Sequence, residues 1–261
     1  MKDISVIIPI HKMDEKEKTY FSNAITSLLN QKVLPEAIIL VVPKNEKKIV
    51  KYLKDFDYGI IKDLIEIVQN PGETDFSSQM NYGVSQAKTT WINFMEMDDE
   101  MSSIWIKCFK EYSEHYPDVE IFSPIIIDVN EQNQFMSLGN EAVWAREFSE
   151  EMGFIDHNIA VAYQNFNIVG MAVKKETYED FGGLKSNLKL YFIYEFILRM
   201  TLNSIKLMVI PKYGHKHTTL RENSLFDTYK KEMNPVETKW WLAQAKKEYH
   251  FKKDRVITYS E

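Results

Sequence analysis

Short apolar runs and longer amphipathic stretches alternate along the first hundred residues of the chain. Four short and largely apolar runs at residues 4–10, 37–42, 64–68 and 91–95 predict strands. The first two runs are rich in β-branched side chains and almost continuously apolar, which predicts strands that are buried on both faces. The stretches between the four runs have the spacing of amphipathic helices and lie at residues 17–31, 46–56 and 77–88. Strands that alternate with helices predict βαβ units and therefore a mostly parallel sheet flanked by helices.

The second half of the chain is less regular. It predicts strands at residues 119–127, 168–173 and 205–210, and helices at residues 104–116, 175–181 and 190–203. Residues 128–165 are polar and rich in loops, and residues 226–251 predict a helix interrupted at Pro235. We therefore predict one α/β domain over residues 1–225, with halves 1–100 and 101–225, followed by a C-terminal helical tail over residues 226–261.

Composition narrows the class of protein. With 44% hydrophobic and 13% aromatic residues, the chain has enough apolar mass for a sizeable core. The single cysteine, Cys108, excludes an intrachain disulfide and fits a reducing compartment. The formal net charge of −6 argues against a general nucleic-acid binder. No apolar run approaches the ~20 residues of a membrane span. The first predicted strand begins at residue 4, which leaves no room for a signal peptide before it, so we expect a cytoplasmic protein.

Candidate chemistry lies directly after the predicted strand at residues 91–95. Open α/β sheets bind ligands at the carboxyl ends of their strands, and here that end carries four acidic residues, which are Glu96, Asp98, Asp99 and Glu100. Carboxylates this close repel one another unless a cation lies among them, and Mg²⁺ prefers such oxygen ligands. A solvated acidic turn before the next helix explains the same residues equally well, since negative charge suits a helix N-terminus.

Four segments resemble glycosyltransferase family 2 in the order expected for that family. Residues 5–11 are similar to its opening S-V-I-I-P strand, and residues 80–99 are similar to its nucleotide-sugar segment, R-N-x-G followed by F-L-D-x-D-D. Residues 169–184 resemble the acceptor-side strand, the helix and the G-G-F turn that follows. Residues 196–200 resemble the end of the helix that begins with E-D in the family.

The resemblance implies a GT-A fold with a nucleotide-sugar half (residues 1–100) and an acceptor half (residues 101–225). It implies inverting transfer from a nucleotide-diphosphate sugar, with a UDP-sugar favoured, to a hydroxyl acceptor that the sequence does not identify: a glycan, polymer, protein or modified base. It also implies a divalent cation, Mn²⁺ or Mg²⁺, at the leaving diphosphate. The implied donor-binding residues are Pro9, His11, Asn81, Glu96, Met97 and Asp98. We add Lys44 and Arg221 to the donor-binding residues, because their positive charges could meet the phosphates.

The implied metal ligands are Asp98 and a histidine near the end of the last strand. His215 and His217 share one face if this segment is extended, and Lys212, Lys216 and Arg221 around them could hold a diphosphate. We choose His217 over His215, and we keep His215, Asp99 and Gly170 as additional candidates. For Asn81 and for Gly83, a simple packing role competes with donor binding.

The sequence departs from the family pattern at three places. Glu96 replaces an aspartate, and the D-D-G-S expected after the second strand is replaced by residues 42–46, Val-Pro-Lys-Asn-Glu. The E-D pair that supplies the catalytic base falls on Phe192 and Ile193. We predict Glu195 as the base, with an ion pair to Arg199, one helical turn away, as the alternative. These departures also favour a second hypothesis, a degenerate GT-A fold that binds nucleotides or acts as a scaffold without transfer.

The C-terminal tail carries two adjacent tryptophans, Trp240 and Trp241. Large apolar side chains on a surface helix anchor it to the body of the protein or to a partner. We therefore predict a tail that packs on the domain or forms a homo-oligomer.

Overall fold

The computed structural model describes residues 3–141, 153–164, 166–219, 221 and 225–258. These residues fold into a mixed ten-stranded sheet with helices on both faces. The strands are β1 Ile4–Pro9, β2 Ala37–Pro43, β3 Ile65–Asn70, β4 Trp91–Phe94, β5 Glu100–Met101, β6 Ile121–Val129, β7 Phe135–Gly139, β8 Phe154–Ile155, β9 Ala172–Lys174 and β10 Leu207–Thr218. The helices are α1 Glu15–Leu29, α2 Lys47–Asp55, α3 Phe76–Gln86, α4 Trp105–His115, α5 His157–Ala162, α6 Lys175–Asp180, α7 Phe192–Leu202, α8 Leu225–Glu232 and α9 Pro235–Glu248, with a 3-10 helix at Gly59–Leu64.

The sheet has a parallel half and a mixed half. Its order is β3-β2-β1-β4-β9-β6-β10-β5, with β7 paired to β6 and β8 paired to β10. The first four strands in this order are parallel, as predicted for the first hundred residues. The short strand β9 runs antiparallel to both β4 and β6, so it joins the two halves as a single reversed strand, and β4, β6 and β10 run in the same direction. The α/β class is confirmed, and the reversal at β9 is what the pattern of apolar residues did not contain.

Strand β1 is buried on both faces, as its apolar run predicts. Ile7 lies in the hydrophobic cluster that includes α3 and α7, whereas Val6 and Ile8 lie in the cluster under α1. Successive side chains of a strand point to opposite faces, so a strand whose side chains are all apolar except Ser5 requires cover on each side. The two helical layers supply that cover.

The C-terminal tail packs on the domain. The helical tail is interrupted between α8 and α9, and Asn234 caps α9 by accepting a hydrogen bond from the backbone N–H of Glu237. Trp241 and Ala245 are buried in the same hydrophobic cluster as α7. The interruption predicted at Pro235 is therefore present, with the proline in the first turn of a new helix, where its missing N–H costs nothing. Within the described residues, no helix is long and apolar enough to cross a membrane.

Strand β10 is longer than predicted. It was expected to end near residue 210, but it continues to Thr218, with register shifts between Ile210 and Tyr213 and between Tyr213 and His215. The extension is polar, so it has no apolar run to mark it. It exists because β6 and β5 offer backbone partners on its two sides.

Helix α3 rests on the sheet at Gly83. A Cβ atom at this position would lie 2.4 Å from Ile7 Cγ2 and 2.7 Å from Val41 Cγ2, so there is no room for a side chain. We expect Gly83→Ala to lower the free energy of unfolding by about 1–3 kcal/mol, because overpacking outweighs the better helix propensity of alanine. Urea unfolding of the variant measures this.

Gly72→Ala is the matched control for that substitution. A Cβ atom at Gly72 would lie 3.4 Å from its nearest neighbour, the side-chain oxygen of Asn70. Equal stability of the two alanine variants would contradict the close packing of α3.

Candidate functional site

The acidic residues lie at the carboxyl edge of the sheet, where β4 ends. Asp98 and Asp99 are both buried, and β5 begins directly after them. Strand β10 pairs antiparallel with β5 here, with Lys216 opposite Glu100. The hydroxyl group of Thr218 donates a hydrogen bond to the backbone oxygen of Asp98 at 3.1 Å. Pairing between β5 and β10 therefore carries the basic end of β10 onto the acidic turn.

His217 and Asp99 form the central contact of this edge. His217 Nδ1 lies 2.9 Å from Asp99 Oδ1, and the backbone N–H of Glu96 donates to Asp99 Oδ2 at 3.1 Å. Burial disfavours a charged imidazole, but the negative charge of Asp99 and its hydrogen bond outweigh burial and raise the pKa of His217 to about 10. His217 is thus an imidazolium at neutral pH in this state.

Arg221 approaches Asp98 from the other side. Its Nε lies 2.8 Å from Asp98 Oδ2, and its Nη1 donates to Glu17 Oε1 at 3.2 Å. Glu17 is buried near the start of α1 and also pairs with Lys12, whose Nζ is 2.9 Å away. The structure therefore brings together Asp98, Arg221 and His217, as the sequence predicts. Glu17 and Lys12 belong to this cluster as well, and only their charges mark them in the sequence.

The two cationic side chains do not fully offset the crowded carboxylates. Burial, together with the charges of Asp99 and Asp98, raises the pKa of Glu96 to about 8. Burial and the charge of Asp99 raise the pKa of Asp98 to about 6, although Arg221 and His217 act in the opposite direction. Both carboxyl groups thus hold their protons more strongly than exposed ones, and an added cation would favour their ionised forms.

His215 and His217 have different surroundings despite their alternate spacing. His215 is buried, burial lowers its pKa to about 4, and neither ring nitrogen has a hydrogen-bond partner among the described residues. Its ring lies against Gly170, where φ is +73° and a Cβ atom would come within 2.2 Å of His215 Cδ2. Gly170 is thus required by packing against this ring. Metal ligation by His215 or a donor role of Gly170 stays a prediction.

The other predicted donor residues lie along the same edge. Pro9 and Met97 are buried, at the end of β1 and in the acidic turn. His11 is exposed and stacks on Phe76 of α3, with ring centroids 6.5 Å apart. Lys44 is exposed in the turn after β2. Their positions agree with a ligand at the carboxyl edge, and their contacts with a donor stay predictions.

Asn81 is occupied by contacts within the protein. Its side-chain nitrogen donates to the backbone oxygen of Leu184 at 2.7 Å, and its side-chain oxygen accepts from the Leu184 N–H and from the Tyr178 hydroxyl. A Cβ atom at Gly183 would lie 2.5 Å from the same oxygen. These contacts join α3 to the turn after α6. The packing alternative describes this arrangement, and donor binding by Asn81 stays a prediction.

Glu195 is fully buried, and Arg199 holds it. Arg199 Nε and Nη2 donate to the two carboxylate oxygens, each at 2.9 Å, and Lys185 Nζ lies 3.5 Å from one of them. Burial raises the pKa of Glu195, while the charges of Arg199 and Lys185 oppose that rise. This is the geometry of the ion-pair alternative. A role as base stays a prediction, and it requires the carboxylate to leave both partners.

Lys185 connects this pair to the C-terminal tail. It is fully buried and lies 3.3 Å from Glu248 Oε2 in α9, and it donates to the Glu248 backbone oxygen at 2.7 Å. Arg255 also donates to Glu248, at 2.9 Å from Nε. No signal in the sequence marks Lys185 or Glu248, because ion pairs between distant segments leave no local pattern.

A comparison with family models matches residues 5–175 to the model described as Glycosyl transferase family 2. That match covers more than half of the chain. The chain belongs to glycosyl transferase family 2. A search of curated proteins found no match.

Solved structures of Staphylococcus aureus TarS, residues 1–349, have the same fold. The complex with UDP aligns with 93% of this chain and 70% of its own, at 14% identity and a TM-score of 0.60. A further crystal structure of TarS 1–349 aligns with 95% of this chain and 71% of its own, at 14% identity and a TM-score of 0.61. The complex with UDP-GlcNAc aligns with 95% and 72%, at 14% identity and a TM-score of 0.60. The GT-A fold predicted from the sequence is confirmed, and this family 2 chain is a glycosyltransferase.

The buried charges around Lys185 generate a stability prediction. Removing one partner of a buried ion pair leaves an uncompensated charge, so we expect Lys185→Met to cost about 3 kcal/mol of unfolding free energy. Chemical unfolding monitored by tryptophan fluorescence measures it.

Lys51→Met is the control, because Lys51 forms an exposed ion pair with Asp55 within α2 at 2.5 Å. It should change stability by less than about 1 kcal/mol. A Lys185→Met protein as stable as the control would show that the buried charges do not hold the tail in place.

Proposed function

We propose that this chain transfers a sugar from a UDP-sugar to an acceptor hydroxyl group, with inversion at the anomeric carbon. The observation that carries the proposal is the cluster of Asp98, Asp99, His217 and Arg221 at the carboxyl edge of a family 2 fold. A uridine nucleotide is supported by TarS, which has this fold and whose structures contain UDP and UDP-GlcNAc.

A divalent cation, Mn²⁺ or Mg²⁺, would be held by Asp98 and His217. The contact of His217 Nδ1 with Asp99 leaves Nε2 for the cation, which is how metal-binding histidines are usually oriented by a carboxylate, and the cation would displace the Nε2 proton of the imidazolium. The described residues contain no preassembled group of three metal-binding side chains. Mg²⁺ usually takes one or two protein carboxylates and completes its shell with water and substrate phosphates. When bound, the cation would stabilise negative charge on the leaving diphosphate.

Arg221 supplies the positive charge that the protein itself brings to the diphosphate. It is held near Asp98 and Glu17, so it is positioned before a donor binds. A guanidinium group can exchange a carboxylate for a phosphate, because both accept paired hydrogen bonds. In the proposed reaction Arg221 turns from Asp98 to the diphosphate and leaves the carboxylate free for the cation.

The second candidate function is nucleotide binding without transfer. It is favoured by Glu195, whose carboxylate is bound on both oxygens by Arg199, and by the apolar pair Phe192 and Ile193 at the start of α7. An acceptor hydroxyl must lose its proton to a base, and a carboxylate held in this way is a poor one. Transfer with Glu195 as base requires Arg199 to release it.

The acceptor, the cellular location and the assembly stay as the sequence predicts them. We propose that the acceptor hydroxyl belongs to a glycan, a polymer, a protein or a modified base. We also propose a cytoplasmic location. For the assembly, one proposal is a homo-oligomer that forms through the C-terminal tail. The buried position of Trp241 favours the alternative that the tail packs on its own domain.

Asp98→Asn tests the donor site. UDP with Mn²⁺ should raise the melting temperature of the wild-type chain, because a ligand that binds the folded state stabilises it. In Asp98→Asn we expect the Mn²⁺-dependent part of that shift to disappear, since the carboxylate charge that holds the cation is gone. Thermal-shift measurements with and without Mn²⁺ give the result.

The control for Asp98→Asn is Asp63→Asn, an exposed residue in the 3-10 helix, which should keep the full shift. A wild-type shift that excess chelator does not reduce would contradict the metal assignment. The nucleotide assignment would be contradicted by a wild-type chain that UDP does not stabilise under any condition.

Glu195→Gln tests the base. If Glu195 accepts the proton, release of UDP from a UDP-sugar should slow by about 100-fold or more, while UDP affinity is kept. Turnover is normalised to the folded fraction, because the substitution also weakens the pair with Arg199. Glu179→Gln, an exposed residue of α6, is the control. A wild-type chain that binds UDP but releases none from any UDP-sugar would establish the second candidate.

A further inference from the structure

The side chain of Gln79 in α3 is buried without any partner. Its exposed fraction is 0%, and neither its amide oxygen nor its amide nitrogen has a hydrogen-bond partner among the described residues. Native proteins rarely bury a polar group in this way, because the group loses water and gains nothing in exchange. A buried amide with both its donor and its acceptor unused therefore calls for a ligand or a bound water as its partner.

Gln79 lies at the carboxyl edge of the sheet. Helix α3 follows the parallel strand β3, so its first turn begins at that edge, where Asp75 caps it. Gly83 contacts Ile7 and Val41. Gln79 precedes Gly83 by one turn, about 5.4 Å, on the same side of the helix. A strand rises about 3.3 Å per residue. The Gln79 side chain therefore lies between α3 and the last residues of β1 and β2.

The neighbouring polar groups at this edge are already used. The backbone N–H of Lys44 donates to the backbone oxygen of Asn70. The Asn70 side chain donates to the Glu73 backbone oxygen and accepts from the Gly72 N–H, at 2.7 and 2.9 Å. The prolines that end β1 and β2 have no N–H to offer. The local structure thus gives Gln79 little to bind, and its amide is left over.

We propose that Gln79 binds the base of the donor nucleotide, an inference that rests on the function proposed above. A carboxamide presents a donor and an acceptor side by side, and the N–H and C=O of a uracil edge are the complementary pair. Solvent does not reach the amide in this structure, so binding must part the exposed segments that border the edge, residues 44–46 and 71–74.

Gln79→Met tests the inference, because methionine has nearly the same shape without the amide. We expect UDP affinity to fall by about tenfold or more, and the preference for UDP over a UDP methylated at uracil N3 to disappear, since two hydrogen bonds to the base are lost. The methylated base has no N–H on this edge, whereas CDP would not serve as the probe, because a carboxamide can also pair with cytosine. The melting temperature without a ligand should stay the same or rise, because an unpartnered buried amide is removed. Isothermal titration with UDP and N3-methyl-UDP in Mn²⁺, together with thermal unfolding, measures both.

Gln86→Met is the matched control. It makes the same change in the last turn of the same helix, where Gln86 donates a hydrogen bond to Ser85 Oγ at 3.2 Å. It should leave the affinity for UDP and the preference over N3-methyl-UDP unchanged.

The outcomes separate this inference from the proposed function. Equal UDP affinity in the wild type and Gln79→Met would overturn the role of Gln79 and leave the donor site intact. The same holds if both nucleotides weaken equally, which would indicate a general effect on the edge. A wild-type chain that binds no nucleotide would instead contradict the proposed function itself. Loss of melting temperature in Gln79→Met would show that the amide has a structural partner such as a buried water.

Discussion

Negative charge at the end of β4 is the constraint on which the rest of the site depends. Asp98 and Asp99 are buried there beside Glu96, and buried carboxylates cannot all ionise unless positive charge lies close to them. His217 and Arg221 supply part of it, yet the pKa values of Glu96 and Asp98 remain raised. The edge therefore favours cationic ligands, which is the physical reason why a divalent cation suits the proposed donor site.

The long strand β10 brings one of these positive charges, that of His217, to the acidic residues. Its apolar first part is in the core beside β6, and its polar second part passes the acidic turn and pairs with β5. The alternate spacing of His215 and His217 predicts a shared face. The structure nevertheless gives them different charge states, because His215 is packed on Gly170 without a hydrogen-bond partner among the described residues, while His217 contacts Asp99. Spacing alone could not decide between them, since the deciding contacts come from residues more than forty positions away.

Local pattern was sufficient for the first half of the chain and insufficient for the second. The strands β1 and β2 were predictable because each is a single apolar run that must be covered on both faces. The direction of β9 and the extension of β10 depend on which strands lie next to them, which no local window contains. The same holds for the site. The contact between Glu195 and Arg199 follows from a spacing of four residues, whereas Lys185 and Glu248 join it from 63 residues apart.

Residues expected to act on a substrate also hold the two halves of the fold together. Arg199 binds Glu195 and donates to the backbone oxygens of Phe181 and Gly183, and this turn is clasped by Asn81 of α3. A continuous set of hydrogen bonds therefore links the buried charges of Glu195 and Arg199 to α3 at the carboxyl edge of the sheet. A disturbance at Glu195 reaches α3 through this turn, so lost activity alone cannot distinguish a missing base from a displaced helix. Affinity for UDP separates the two, because a displaced α3 weakens nucleotide binding and a missing base does not.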